Sequence, residues 1–234
     1  MKTIKNLFAA ATLSLGLFTA TGAQAGLMAA DGGQTVYDTD RNIFWLANAN
    51  LAATNSFGIS DFFGLSGINA NGTMSWFTAQ KWIRAMNTAN YLGYNDWRLP
   101  TTLQPDPSCS FQIGGDTFGY NCTGSEMGHL FYNELGGTAD QSILNSGDTD
   151  LSLFTNLQSN DYWSGTEYAP NTDNAWRFAF DIGLLYAFDK GDSLYALAVR
   201  PGQVSAVPEP GSALLFGIGL LGLLGVARRR LALR

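Results

Sequence analysis

"SWFTAQKWIRAMNTANYLGYNDWRLPT", residues Ser75–Thr101, sets a helical pattern directly against an extended one, and that junction decides the fold class. Trp76, Ala79, Trp82, Ile83 and Met86 recur at the three- and four-residue spacing of one helix face. Ser75 stands where an N-cap belongs, and Gly93 is the expected stop. Pro100 then keeps Leu99 extended, so Trp97 and Leu99 share one face while Asp96 and Arg98 share the other. The apolar pair belongs in a core. The carboxylate and the guanidinium are expected to pair with each other or with loop backbone, which makes Asp96, Trp97, Arg98 and Pro100 a structural clasp rather than a ligand contact.

Upstream, "QTVYDTDRNIFWLANAN" (Gln34–Asn50) reads as two short strands around a polar turn at Asp38–Asn42. Residues Ala52–Thr73 are rich in Gly, Asn and Ser and read as loop, with Phe57, Phe62, Phe63 and Leu65 packing down. Downstream, "SEMGHLFYNELGG" (Ser125–Gly137) predicts a second, shorter helix. Ser125 is its expected cap, Glu126 favours the positive end of its dipole, and Gly136 ends it. The single histidine, His129, has no second histidine or thiol at metal spacing and is read as a packed or half-exposed side chain.

The last third changes period. "NAWRFAFD" alternates Trp176, Phe178 and Phe180 against Arg177, Ala179 and Asp181, the pattern of a half-buried strand. "GLLYAFDKGDSLYALAVRPG" (Gly183–Gly202) reads as two strands around a turn at Asp189–Ser193. With Tyr162-Trp163-Ser164 ahead of it, the expected arrangement is an antiparallel meander. Trp163 and Trp176 are assigned to the core and Ser164 to backbone hydrogen bonding. Two helices followed by an antiparallel sheet make an α+β domain.

The two ends of the chain read as transport signals. Lys2 and Lys5, an apolar run from Leu7 to Ala20 and a small-residue site ending at Ala25 describe a secretory signal helix over residues 1–25, removed by signal peptidase. The alternative is an anchor that stays on. At the other end, Val207-Pro208-Glu209-Pro210 precedes an apolar, glycine-rich stretch, with a transmembrane segment expected over residues 211–227. Arg228, Arg229 and Arg230 follow, and belong on the cytoplasmic side. Between the ends lies one domain, residues 26–206, with seven Lys and Arg against eighteen Asp and Glu, a formal charge of −11. Such a surface repels nucleic acid.

Cys109 and Cys122 flank "SFQIGGDTFGYN", a stretch without a strong period. In an oxidising compartment an isolated pair forms a disulfide. A metal or redox thiol pair is the other reading of the two.

Pro208-Glu209-Pro210, the greasy stretch and the arginines together resemble the PEP-CTERM sorting signal handled by exosortase enzymes. That implies transient insertion in the inner membrane, cleavage near the Pro-Glu-Pro, and a final place at the surface or in the extracellular matrix of a bacterium. "YNDWRLPT" (Tyr94–Thr101), "YWSGTEYAPNTDNAWRF" (Tyr162–Phe178) and "YALAVRPG" (Tyr195–Gly202) together resemble the Lcl C-terminal domain family, which implies a C-type-lectin-like fold. Residues Thr102–Gly124 depart from that pattern and look like an insertion, a ligand loop or an ornament.

The best binding candidate is "TEYAPNTDNAW" (Thr166–Trp176). Glu167, Asn171, Asp173 and Asn174 offer carboxylate and amide oxygens between Tyr168 and Trp176. No cofactor is expected. Calcium on Glu167 and Asp173 is the alternative, because it takes six to eight oxygen ligands, although the loop carries none of the sugar-coordinating tripeptides of C-type lectins. The expected function is an exported, non-enzymatic protein that binds exopolysaccharide or a surface glycan, or mediates adhesion. A structural matrix protein without a small ligand is the alternative, and a carboxylate-dependent glycoside hydrolase a third.

Overall fold

The structure, a computed structural model, describes residues 26–60 and 67–202. The signal helix with Ala25, the loop residues Phe62, Phe63 and Leu65, and the sorting segment with Pro208, Glu209, Pro210 and Arg228–Arg230 lie outside the described residues. In chain order the elements are β1 (Leu27–Ala30), β2 (Thr35–Asp38), β3 (Ile43–Leu46) and α1 (Trp76–Thr88). Then come β4 (Phe111–Ile113), β5 (Asp116–Phe118), α2 (Glu126–His129), β6 (Asp161–Glu167), β7 (Asn174–Ala179), β8 (Leu184–Asp189) and β9 (Val199–Pro201). The sheets are antiparallel and the architecture is α+β. No helix among the described residues is long and apolar enough to cross a membrane.

The tryptophan spacing forms α1 as read. The Ser75 hydroxyl accepts the Thr78 N–H at 3.3 Å, and Trp76, Ala79, Trp82, Ile83 and Met86 are all buried. The stop comes earlier than Gly93. The helix ends at Thr88, Asn90 turns into the left-handed region at φ 49°, and Tyr91–Gly93 forms a short 3-10 turn. Asparagine tolerates that conformation because its short amide satisfies local backbone. The second helix is a single turn, Glu126–His129, which widens into a π turn over Leu130–Glu134. Its Ser125 makes no side-chain cap; the hydroxyl instead accepts the Leu103 N–H at 3.1 Å, tying the helix start to the segment after Pro100.

The expected meander forms only in part. β6, β7 and β8 make one three-stranded sheet. The arm after the Asp189–Ser193 turn leaves it, and β9 pairs with β3 at the edge of a separate sheet of order β1-β2-β3-β9. The cause is a set of non-local bonds along that arm. Leu194 pairs with Met74, the Trp163 N–H bonds the Tyr195 carbonyl, and Val199 exchanges both backbone bonds with Arg98 at 2.8 and 2.9 Å. β7 is also covered on both faces rather than one. Arg177 is buried, paired with Asp161, and lies 4.3 Å under the Phe188 ring.

The core is built on tryptophan. All six are buried, and five donate their indole N–H to a named acceptor. Trp76 bonds the Ser164 carbonyl at 2.8 Å, Trp82 that of Asn55, Trp97 that of Tyr91, Trp163 that of Met74, and Trp45 the Asp38 carboxylate. The first four rings thereby fill volume and satisfy backbone carbonyls at once. Trp97 and Leu99 sit in this core as their shared face requires. Ser164 donates to the Pro100 carbonyl at 2.9 Å and accepts from Thr102, holding the β6 sheet against the same segment.

On the polar face of the clasp the backbone alternative is met in part, since Arg98 donates to the Leu99 carbonyl at 3.1 Å. Arg98 does not pair with Asp96. It makes a two-pronged bond to Glu126 on α2, at 2.7 and 2.6 Å, and Glu126 also accepts the Thr101 N–H at 2.7 Å. The buried Oδ1 of Asp96 has no partner. The pairing follows from geometry, since two residues on one face of one extended segment point the same way, whereas α2 faces them. Glu126→Ala is therefore expected to lower stability by about 2–3 kcal/mol, while Asp96→Ala stays within about 0.5 kcal/mol. Urea unfolding of the two variants checks the difference.

Candidate ligand-binding groove

Between the two cysteines the residues Phe111–Ile113 and Asp116–Phe118 pair as a hairpin around Gly114-Gly115, with Gly114 at φ 63°. The stretch read as loop without period is thus ordered. The Cys109–Cys122 disulfide closes its base, with an S–S distance of 2.08 Å. Gln104 clamps one side: its amide donates to the Thr117 carbonyl at 2.7 Å and its oxygen accepts the Thr117 N–H at 2.9 Å. Asp106, fully buried, accepts from the N–H groups of Ser108 and Ser125. On the other side Gly119 exchanges both backbone bonds with Leu185, docking the hairpin on β8. Gly119 sits at φ 99°, and a Cβ there would stand 2.4 Å from the Ser110 hydroxyl, so this approach needs glycine.

The opposite wall is the β6–β7 connection. Its backbone bonds run Asn171 to Tyr168 and Asn174 to Asn171, and the Asn171 side chain accepts the Asp173 N–H at 3.1 Å. Lys190 fastens the loop from below. Its ammonium, buried, reaches the Thr172 carbonyl at 2.5 Å and Glu167 at 3.1 Å, and lies 4.6 Å from the Trp76 ring centre. Trp76, assigned from its spacing to the core, is at the same time the floor under this cation.

Hairpin, loop and β8 enclose a groove of about 190 Å³ lined by Ile113, Asp116, Phe118, Tyr168, Asn174 and Tyr186, with Trp176 and Ala187 at its base. The aromatic rings interlock. Phe118 meets Tyr186 edge-on at 5.7 Å, Tyr168 meets Trp176 edge-on at 5.2 Å, and Phe111 stacks on Phe118 at 5.9 Å. Three large apolar or aromatic side chains remain open to solvent here: Ile113 at 71%, Phe111 at 55% and Tyr186 at 46%. The Asp116 carboxylate, the Asn174 amide and the side chains of two tyrosines, Tyr168 and Tyr186, supply the polar groups among the lining residues. Aromatic walls with a few fixed hydrogen-bonding groups are the make-up of a small-molecule or sugar site.

Of the four residues singled out in "TEYAPNTDNAW", only Asn174 is among the groove-lining residues, and the Asp173 carbonyl accepts the Lys190 backbone N–H. Asn174 lines the groove and Trp176 supports it. Asn171 is used in the turn, and Glu167 is held by the Lys190 ammonium. A calcium ion on Glu167 and Asp173 would have to compete with that buried ammonium, and the like charges oppose it. The disulfide is formed and neither thiol is free. Asp96, Arg98, Pro100, Trp163 and Ser164 lie in the clasp and core described above, away from the lining residues.

Asp116, Phe118 and Tyr186 were missed by the sequence reading. Alternation around Gly-Gly is a hairpin signal that would have found the first two. Tyr186 carries no such mark, because its exposure depends on which strand edge the hairpin leaves open. Replacing both cysteines with serine is expected to lower stability by about 3 kcal/mol and to speed amide exchange in Phe111–Phe118 while the β6–β8 pairs stay protected. Lys190→Met is expected to speed exchange in residues 168–174 instead. Hydrogen-exchange mass spectrometry reads both.

Residues 34–104 match the family model of the Lcl C-terminal domain. The match takes in β2, β3, α1 and the clasp, and stops just before the disulfide-bounded segment, so all the groove-lining residues lie beyond it. No curated protein matches the chain. Residues 206–230 match the PEP-CTERM protein-sorting motif, a signal recognised by exosortase, which directs export through the membrane to the surface or extracellular space of a bacterium. The chain thus resembles the Lcl C-terminal domain over residues 34–104 and carries a PEP-CTERM sorting motif over residues 206–230.

Proposed function

We propose that this exported protein holds an extracellular polysaccharide or surface glycan in the groove between the disulfide-closed hairpin and the β6–β7 loop. One observation carries the reading. Tyr186, Phe111 and Ile113 are exposed around a cleft whose walls are otherwise locked by a disulfide, a backbone bridge and a buried lysine. Exposed aromatic groups on a rigid support suit a sugar ring, whose apolar face stacks on an aromatic ring while its hydroxyls bond Asp116 and Asn174. The sorting motif supports the location where such a ligand is found. Residues 26–206 then form the working domain, of C-type-lectin-like type, a reading supported by the match over residues 34–104 and by the α+β architecture.

The role is binding rather than catalysis. Asp116 is the one carboxylate among the lining residues, whereas glycoside hydrolysis by the usual route takes a pair flanking the bond. The cysteines are joined, which removes a thiol nucleophile. Sedimentation of the full-length chain with the exopolysaccharide of the producing bacterium, with and without chelator, tests the reading. Tyr186→Ala is expected to weaken binding about tenfold, a loss near 1.4 kcal/mol, and Asp116→Asn to weaken it less. Glu167→Ala is expected to leave it unchanged. Equal binding by Tyr186→Ala and the parent chain, or no binding at all, leaves a structural matrix protein as the function.

A further inference from the structure

His129 ends α2, and the π turn that follows brings Glu134 under it, because five-residue spacing aligns on the wider turn. The imidazole Nε2 and the Glu134 Oε1 are 2.9 Å apart, with side chains only 10% and 6% exposed. A third group comes from the far end of the chain. Asp38, at the end of β2, is fully buried, and one ligand atom from each of the three lies within 4.8 Å of the others. Asp38 is held in place by the Arg41 N–H at 2.9 Å and the Trp45 indole at 3.3 Å.

The surroundings of this trio are short of positive charge. Burial pushes the Glu134 carboxyl up to about 7, with the charges of Asp38, Asp40, Asp150 and Asp148 adding to it. Burial holds the His129 imidazole below its ordinary value, with the Arg41 guanidinium adding to it against Asp38 and Asp40. Arg41 itself donates to the Thr123 carbonyl. Among the described residues no lysine or arginine forms an ion pair with Asp38 or Glu134. Two carboxyl groups and an imidazole packed together in the interior form a set of donor atoms with room for a shared cation.

We propose that Asp38, His129 and Glu134 bind one divalent first-row transition-metal ion, zinc above the others, which ties the β2–β3 turn to the helical segment. The donors decide the class. Imidazole with two carboxylates suits zinc, whereas calcium takes six to eight oxygens. Ligands about 2.0–2.2 Å from a tetrahedral zinc stand about 3.3 Å apart. That lies between the His129–Glu134 separation of 2.9 Å and the 4.8 Å limit of the group, so modest side-chain shifts admit the ion. The bonds to Asp38 from Arg41 and Trp45 are the outer contacts that orient such a ligand. Three protein ligands leave a fourth position for water, and the group lies buried and outside the groove lining.

The test takes the full-length chain in mild detergent, stripped with chelator and dialysed. Zinc titration by calorimetry is expected to give one ion per chain and a raised thermal midpoint, and cobalt in its place the visible absorption of a tetrahedral nitrogen-and-oxygen site. With a single histidine and no free thiol in the chain, a nitrogen ligand can only be His129. His129→Ala and Glu134→Gln are each expected to weaken zinc about tenfold or more, with Tyr186→Ala binding it like the parent. Glu134→Gln keeps the side-chain shape, and its circular dichroism shows that folding is retained. Binding well below one ion per chain, or equal affinity in folded Glu134→Gln, overturns the proposal and leaves a histidine–carboxylate hydrogen bond only. Neither result bears on glycan binding at the groove.

Discussion

The backbone of Leu194–Gly202 is bonded to the segment before α1, to β6, to β3 and to the clasp, and it ties these together. Leu194 pairs with Met74 just before α1, Tyr195 bonds Asp161 and Trp163 in β6, and the Ala198 carbonyl accepts from Leu46. Val199 joins Arg98 in the clasp while pairing across β3 with Trp45, and Gly202 returns to Asn42. Short strands and single-turn helices bury little surface alone. A segment that satisfies backbone on four elements at once turns them into one body, since each unpaired buried N–H or carbonyl would cost about a hydrogen bond's worth of desolvation.

The same economy governs the cations. Of the seven Lys and Arg between residues 26 and 206, Arg177, Lys190 and Arg200 are buried, and each lies over an aromatic ring. Arg200 is the extreme case, 3.4 Å from the Tyr94 ring centre and 4.0 Å from that of Phe44. These side chains organise loops from within. The surface is left more acidic than the composition suggests, and such a surface repels polyanions.

The groove and the clasp share a construction principle. In both, irregular chain is held by side-chain groups that imitate a neighbouring strand: Gln104 on Thr117, Ser164 on Pro100 and Thr102, Glu126 on Thr101. Rigid loops lose little entropy when a ligand arrives. The half-exposed Tyr186 and Phe111 sit on such a support, each packed on one side against Phe118.

Much of the architecture is local and was therefore legible. The α1 face, the Asp38–Asn42 turn, the extended Trp97–Leu99 segment and the disulfide follow from spacing, capping and compartment, because each rests on neighbours in sequence. The transport motif at residues 206–230 is likewise written in a continuous stretch. Partnership across the fold was not. Arg98 choosing Glu126 over Asp96, β9 joining β3 instead of β8, Tyr186 opening onto the hairpin, and Asp38 meeting His129 and Glu134 all pair residues far apart in the chain. Periodicity reports which face a residue shows. Only the packed chain decides what stands opposite, because that depends on the course of distant segments whose burial has to be satisfied together.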